Sequence, residues 1–456
     1  MPRLIDRERL CKFAEELARR LAEEVADEVA ATGVLNLDVT VRRQVLGFGD
    51  RLLGRAAEEA AEGHWEDGRA CPDCGTELAY KQHRAVTIRS VLTGKPQEVW
   101  SRYFTCAGCH TGWLEVRAAL GTDTDGFTPA LQDVCHVAEV LEPYETAAET
   151  LLQKVAGVTV SRTKLHGMCD RAGAVAEQLM EEGRLGDSRL LRSDEVLVVE
   201  VDGGMVYMDH EWREAKVGIT YPMARGQAAS EGRTELPERR CVGVIGSPSD
   251  FKKRLYQVVE PWLPKDADGS PQIENRLVVL GDGAPWIRNL VEEIFPGATM
   301  ILDWYHVAEH VDAAVKEAFP DERQRAWYRT RWVNAMKAGR SNDVLRWIAN
   351  QSMRANAGSA GQEALAGLHG YLDDRKTLLR YAWARAEGLP IGSGAAESAI
   401  KNVVQLRMKR PGMRWEDPGV RRMLALRCAY RTSGGLDSLV AAMTDTTGRT
   451  RRRKAA

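Results

Sequence analysis

The chain has 456 residues, 44% of them apolar and 28% charged, enough for about three domains with ordinary globular cores. No run approaches the roughly 18 apolar residues of a membrane span, and Met1 to Glu8 lead straight into a charged amphipathic stretch instead of a signal peptide. A soluble cytoplasmic protein with no membrane partner is therefore expected. The net charge of −2 conceals an asymmetry: Ser398 to Ala456 hold fourteen Lys and Arg against four acids, an excess that suits a polyanionic partner.

Residues 1–65 read as two helices, with Leu10, Phe13, Leu17, Leu21, Val25 and Val29 on one stripe and Val41, Val45, Phe48, Leu52 and Ala56 on the other. Gly33 separates them, and core packing or dimerisation accounts for both stripes.

Residues 66–120 contain Cys71-Pro-Asp-Cys74 and Cys106-Ala-Gly-Cys109 around a hairpin pattern that turns at Thr93-Gly94-Lys95. Without export, thiols stay reduced, so four of nine cysteines in two such pairs point to metal and not to disulfides. Two knuckles joined by a hairpin give a closed tetrahedral S₄ site, the outline of a zinc ribbon with structural Zn²⁺.

Residues 125–190 are expected to be helical with a helix-turn-helix-like pattern. Gly157 supplies the turn and Ser161 caps the helix that follows. Arg162, Thr163 and Lys164 then stand where such motifs touch base edges of DNA, although a plain helical hairpin fits the same spacing.

From about 192 the period changes to strands, at Val196–Val201, Gly204–Met208, Ala215–Thr220, Cys241–Ile245, Leu277–Leu280 and Thr299–Leu302, with a helix at Ala284–Ile294 between the last two. Three adjacent strands followed by a β-α-β unit form the layout of an RNase H-like mixed sheet, so residues 191–306 are the first part of an α/β core. Residues 307–390 read as a helical insertion, 391–432 as the last part of that core, and 433–456 as a basic tail. Asp202 and Asp282 end apolar strands, and Glu397 opens a helix after Ile391-Gly-Ser-Gly394. Three carboxylates converging in this way bind Mg²⁺ or Mn²⁺, hard cations that clamp the oxygens of a phosphoryl displacement. Glu200, on the same strand face as Asp202, is a substitute ligand. Lys401, Arg407, Lys409, Arg410 and Arg414 follow Glu397 closely enough to meet DNA phosphates.

Several longer motifs run through this half of the chain: Gly281-Asp-Gly-Ala-Pro-Trp-Ile287, Phe295-Pro-Gly-Ala298, Leu302-Asp-Trp-Tyr-His306, Gly392-Ser-Gly-Ala-Ala-Glu-Ser398 and Gly412-Met-Arg-Trp415. Together they resemble the Kra-type bacterial insertion-sequence transposases, related to the Mutator superfamily. The resemblance implies a DDE transposase that cuts and joins double-stranded DNA at element ends and target. It matches Asp202, Asp282 and Glu397 to the metal-binding triad, and Asp303 and His306 to the pair that follows the second aspartate. It also implies a homodimer or higher oligomer on DNA, in the bacterial nucleoid. Two other readings stay open. One is a transposase-derived DNA-binding regulator without catalysis. The other is a zinc peptidase built on His306-Val-Ala-Glu-His310, which fits H-x-x-E-H but follows a strand and has no third ligand in view.

Overall fold

The computed structural model describes residues 6–62, 64–65, 68–226, 236, 238–356 and 358–444. Arg449 to Lys454, the expected basic tail, lie outside the described residues. The chain divides into two compact units, Met1–Val175 with Leu436–Ala456, and Ala176–Gly435.

In the first unit, α1 (Arg7–Thr32) starts where the Asp6 side chain accepts the Glu8 and Arg9 amides, and ends at Gly33, whose φ of 78° suits a residue without Cβ. The α2 helix (Leu37–Ala61) buries Ala57 and Ala61 among Val86, Ile88 and Val99. Its N-terminal stripe is not core, however: Val41 and Val45 remain exposed. Strands β1 (Leu78–Ile88), β2 (Gln97–Cys106) and β3 (Gly112–Leu114) form an antiparallel sheet in that order. After α3 (Glu115–Leu120), Thr128 caps α4 (Pro129–Leu141), and α5 (Tyr144–Thr146) runs on as a π-helical turn to Ala156. Gly157 then reverses the chain at φ 79° before α6 (Arg162–Glu181), whose Lys164 amide donates to Ser161 Oγ.

The second unit is built on a mixed five-stranded sheet in the order β6-β5-β4-β7-β8. Its strands are β4 (Glu195–Met208), β5 (Glu211–Ala224), β6 (Arg240–Ile245), β7 (Leu277–Gly281) and β8 (Thr299–Leu302). The first three pair antiparallel, whereas β4, β7 and β8 run parallel. The two strands expected at Val196–Val201 and Gly204–Met208 are one, because Gly203 and Gly204 keep extended pairing with Lys216 and Ala215. One helix escaped the periodicity reading, α7 (Pro248–Val259), although Ser247 and Asp250 form a reciprocal capping box with Pro248 in the first turn.

The α8 helix (Pro285–Ile294) crosses between β7 and β8. On the sheet face bearing Val196 and Val198 lies a continuous core with α9 (Trp304–Ala318), α10 (Glu322–Lys337), α11 (Ser341–Arg354), α12 (Ala360–Asp373) and α13 (Tyr381–Ala386). The segment expected to be all-helical is therefore packed onto the sheet. The chain continues through α14 (Gly394–Ala399), a π-helical turn (Ile400–Gln405), α15 (Leu406–Met408), α16 (Gly419–Arg431) and α17 (Gly435–Thr444).

Candidate metal and catalytic sites

Strand register brings together acids that lie far apart in sequence. Glu200 pairs with Leu280 across parallel β4 and β7, and Leu280 with Ile301 across β7 and β8. Two residues further on, the same offsets place Asp202, Asp282 and Asp303 at one level, Asp202 within β4, which continues to Met208, and Asp282 and Asp303 just past the ends of β7 and β8. Side chains at one level of parallel strands leave the same face of the sheet. The Asp303 amide donates to Gly281 O at 2.8 Å, which carries this alignment past the end of β8.

Local hydrogen bonds then fix each carboxylate. Asp202 Oδ1 accepts from Gly203 N at 2.7 Å, and Asp282 Oδ1 from Ala284 N at 2.8 Å. Gly283 turns the chain away from β7 at φ 71°, and a Cβ there would stand 2.7 Å from Leu302 Cδ1. Burial raises the Asp202 carboxyl above the usual range, and the nearby charges of Asp282 and Asp303 push the same way, against the pull of His306.

Asp303 is 1% exposed and caps α9. Its Oδ1 takes the Tyr305 and Ser393 amides, while its Oδ2 meets His306 Nδ1 at 2.5 Å. Burial would raise Asp303, but the hydrogen bonds from His306 and Ser393 outweigh it and hold the carboxyl below its usual value. The same contact pushes His306 up to about 9, with Asp202 and Asp282 adding to the effect, so the ring is an imidazolium at neutral pH. In Asp303→Asn that contact loses its charge, and an NMR titration of the protein without added metal should show His306 moving down toward the ordinary value near 6.5. An unmoved His306 would contradict the coupling.

Glu397 arrives on a helix tethered to the same sheet face. Glu200 Oε2 accepts the Ala396 amide at 2.7 Å and Oε1 the Tyr221 hydroxyl at 2.6 Å. One turn later, Ile400 packs against Gly204. The α14 helix and its π-turn thus follow the Glu200–Asp202–Gly204 face of β4. The Ser393 and Trp304 amide bonds pull the preceding loop onto the start of α9, where Gly392 lets the Tyr305 ring approach closely: a Cβ there would lie 2.6 Å from that ring and displace it. The Glu397 carboxylate itself is half exposed and pairs with Lys401 Nζ at 2.5 Å. Glu200, read as a substitute ligand, is instead a buried tether for this helix.

Burial pushes Glu200 up to about 7. A carboxyl raised above its unfolded value near 4.3 gives stability that is full below that pH and lost as pH climbs to about 7. Glu200→Gln removes this dependence while keeping a hydrogen-bonding amide. In metal-free urea unfolding, the variant should therefore gain on the native chain by roughly 3 kcal/mol between pH 4 and 8; parallel pH curves would contradict the assignment.

Two residues of this neighbourhood, Tyr371 and Arg375, gave no sequence signal. Tyr371 donates to the Asp282 carbonyl at 3.4 Å, His310 stacks on Tyr371 with ring centroids 3.9 Å apart, and Arg375 lies against Gly283 and over the Tyr371 ring. Tyr371 and Arg375 belong to the helical segment, where each reads as an ordinary surface or core residue. His310 is thereby turned to Tyr371, and His306 to Asp303.

In the first unit, Cys71, Cys74, Cys106 and Cys109 bring their sulfurs within 4.8 Å of one another and could hold a metal such as zinc. Cys71 Sγ lies 3.7 Å from Cys109 Sγ, and Cys74 Sγ 3.3 Å from Cys106 Sγ. A tetrahedron of Zn–S bonds near 2.3 Å has edges of about 3.8 Å, so the donor set fits in type and spacing. The Thr76 hydroxyl and amide draw Cys74 down to about 6, whereas burial pushes Cys71 up to about 11. Among the described residues no other group of three or more potential ligands is as tight, so the carboxylates of Asp202, Asp282 and Glu397 stand further apart.

The expected DNA-contacting residues fall into two sets. Arg162, Thr163, Lys401, Lys409 and Arg414 are exposed, and Arg410 is partly so. Lys164 is instead engaged by Asp125 and lies over Phe127. Arg407 corrects its expectation: it is 1% exposed, with its guanidinium over the Trp415 ring and near Met413. A residue that follows Glu397 by ten positions falls on the inward side of this helical stretch, so its charge is not presented to a phosphate.

The family model described as an uncharacterised protein family, UPF0236, matches residues 130–442, more than half of the chain. No curated protein matches. Among the described residues, no helix is long and apolar enough to cross a membrane.

Proposed function

We propose, for a chain that belongs to the UPF0236 family, that it is a DDE-type DNA transposase of an insertion sequence, of the Kra type suggested by its motifs. The observation that carries the reading is the register that sets Asp202, Asp282 and Asp303 level across parallel β4, β7 and β8, with the Glu397 helix tethered to the same face. In this reading the five-stranded sheet is an RNase H-like core, the four-thiol site a structural zinc ribbon, and α5–α6 a helix-turn-helix-like element offering Arg162 and Thr163 to DNA.

The donor set fits a hard divalent cation: oxygen ligands only, and an Asp202 carboxyl raised by burial and like charges, a strain that a cation relieves. Asp202, Asp282 and Glu397 would hold it, with Glu397 exchanging Lys401 for the metal. Bound there, Mg²⁺ or Mn²⁺ supplies Lewis-acid polarisation of the phosphodiester and activation of the attacking oxygen. The chain's own groups position and neutralise. His306, kept protonated by Asp303, is a cation beside the acids that can donate to a phosphate oxygen, and Lys401, Lys409, Arg410 and Arg414 offer further positive charge to the strand. Strand cleavage frees a 3′-OH, which then attacks target DNA, and pairing of two element ends calls for a dimer or a higher oligomer. The place of action is the bacterial nucleoid.

The Glu397–Lys401 pair favours a second reading, a DNA-binding regulator without catalysis. Incubation with the DNA flanking this reading frame separates the two. A transposase makes Mg²⁺-dependent nicks at the boundary of terminal inverted repeats and leaves 3′-OH ends; binding of the repeats without nicks under Mg²⁺ or Mn²⁺ supports the regulator.

A further inference from the structure

The α10 and α11 helices enclose a cleft of about 430 Å³ lined by Trp327, Arg331, Asn334, Ala335, Arg340 and Trp347, among others. Its chemistry is unusual for a solvent-facing helix pair. Trp327 is 53% exposed, while Trp332, five residues on, is fully buried and supplies the core of this helix. The Arg331 guanidinium lies over both indoles, 4.9 Å from the Trp327 ring and 4.3 Å from that of Trp347, and Arg340 lies 5.3 Å from Trp347. Arg340 also bonds Asp343, but Arg331 has no carboxylate partner among the described residues.

We propose that this cleft binds one unpaired nucleotide of single-stranded DNA, with the base stacked on the exposed Trp327 indole and the adjoining phosphate on Arg331, whose guanidinium lies over Trp327 and Trp347. The proposal rests on the transposase reading for its substrate class and adds a second DNA contact distinct from the acidic site. Three observations carry it. Flat aromatic walls take any base face, and stacking needs no particular sequence. Small Ala335 and Ala338 leave the room, and the exposed Asn334 amide can hydrogen-bond a base edge. The charge is complementary: from Asp321 to Arg340 stand six Arg and Lys against Asp321 and Glu322, and although Arg329 and Arg340 are paired with Asp312 and Asp343, Arg331 at the cleft has no carboxylate partner among the described residues. An aromatic cage for a quaternary ammonium would not place a guanidinium over both of its walls. Trp and Arg also anchor protein interfaces, but a run so one-sided in charge suits a polyanion.

The test compares the affinity of the full chain for a labelled short oligothymidylate with that for an abasic oligonucleotide of the same length, by fluorescence anisotropy. The native chain should prefer the oligothymidylate. Trp327→Ala, at an exposed position, should weaken it by about 5- to 150-fold, the usual loss for one stacked base, and leave abasic binding unchanged. Trp327→Phe should restore part of the preference, and Arg331→Ala should weaken both ligands and reduce the salt dependence. Equal affinity of the native chain for the two oligonucleotides, or a Trp327→Ala chain with native preference, overturns the proposal and leaves the cleft a protein-docking surface. Metal-dependent nicking read in parallel keeps the two claims apart. Base preference without nicking sinks only the transposase, and nicking without base preference sinks only the cleft.

Discussion

Asp202→Ala and Asp282→Ala are each expected to lower metal-dependent strand cleavage by about 10³-fold or more, the rate equivalent of the several kcal/mol that a properly held cation supplies. Binding of the element ends should stay close to native, because phosphate contacts and not the acids supply it. Stability moves the other way. The Asp202 carboxyl is raised by burial and by the charges of Asp282 and Asp303, so its contribution to stability is lost as pH rises through its folded value. Without divalent metal, Asp202→Asn should melt higher than the native chain at neutral pH, and the gap should close in acid. An inactive variant that is also more stable marks a site held together at a cost in free energy, which a misfolded variant would not imitate. Glu397→Ala should also abolish cleavage, and a cleaving Glu397→Ala chain would reassign the third ligand.

Loss of the thiol site is the second large expectation. Cys71 and Cys106 are buried, and their sulfurs stand at metal-ligand spacing with Cys74 and Cys109. The far end of the β1–β3 sheet packs with α2 through Val86, Ile88 and Val99, but its cysteine end has only the small core around Trp65, Phe104 and Trp113, so the metal carries much of the folding free energy of that end. One zinc per chain is expected by elemental analysis. Cys106→Ser should lose it, and amide protection at the cysteine end of β1–β3, around Leu78 and Phe104, should fall by about 10³-fold or more. The second unit, with its own core, should keep its protection. Unchanged exchange in a zinc-free Cys106→Ser chain would mean that the four thiols are not a structural centre.

Much of this was legible in sequence because it is local. The two Cys-x-x-Cys pairs, the apolar runs that lead into Asp202 and Asp282, and the Gly33 helix break each lie within a few residues, where periodicity and turn chemistry operate. The continuity of β4 through Gly203 and Gly204 was not legible, since two glycines read as a break unless the partner strand is known. Asp303 was singled out by resemblance, yet its place level with Asp202 and Asp282 follows from the parallel register of β7 and β8, which no single segment encodes. Glu200 shows the same limit. Period-two alternation put it on the acidic face, but only the fold reveals that Tyr221 and the Ala396 amide occupy both of its oxygens. The burial of Arg407 depends on which side of the helical stretch meets the core, and a count of basic residues carries no such direction.

The central claim is that Asp202, Asp282 and Glu397 form one divalent-cation site beside a DNA strand. Electron paramagnetic resonance of Mn²⁺ bound to the protein–DNA complex tests it most directly. The account predicts bound Mn²⁺ in the native complex and its loss in the Asp202→Asn and Asp282→Asn complexes, with DNA still held. Native Mn²⁺ binding in those two variants would contradict it.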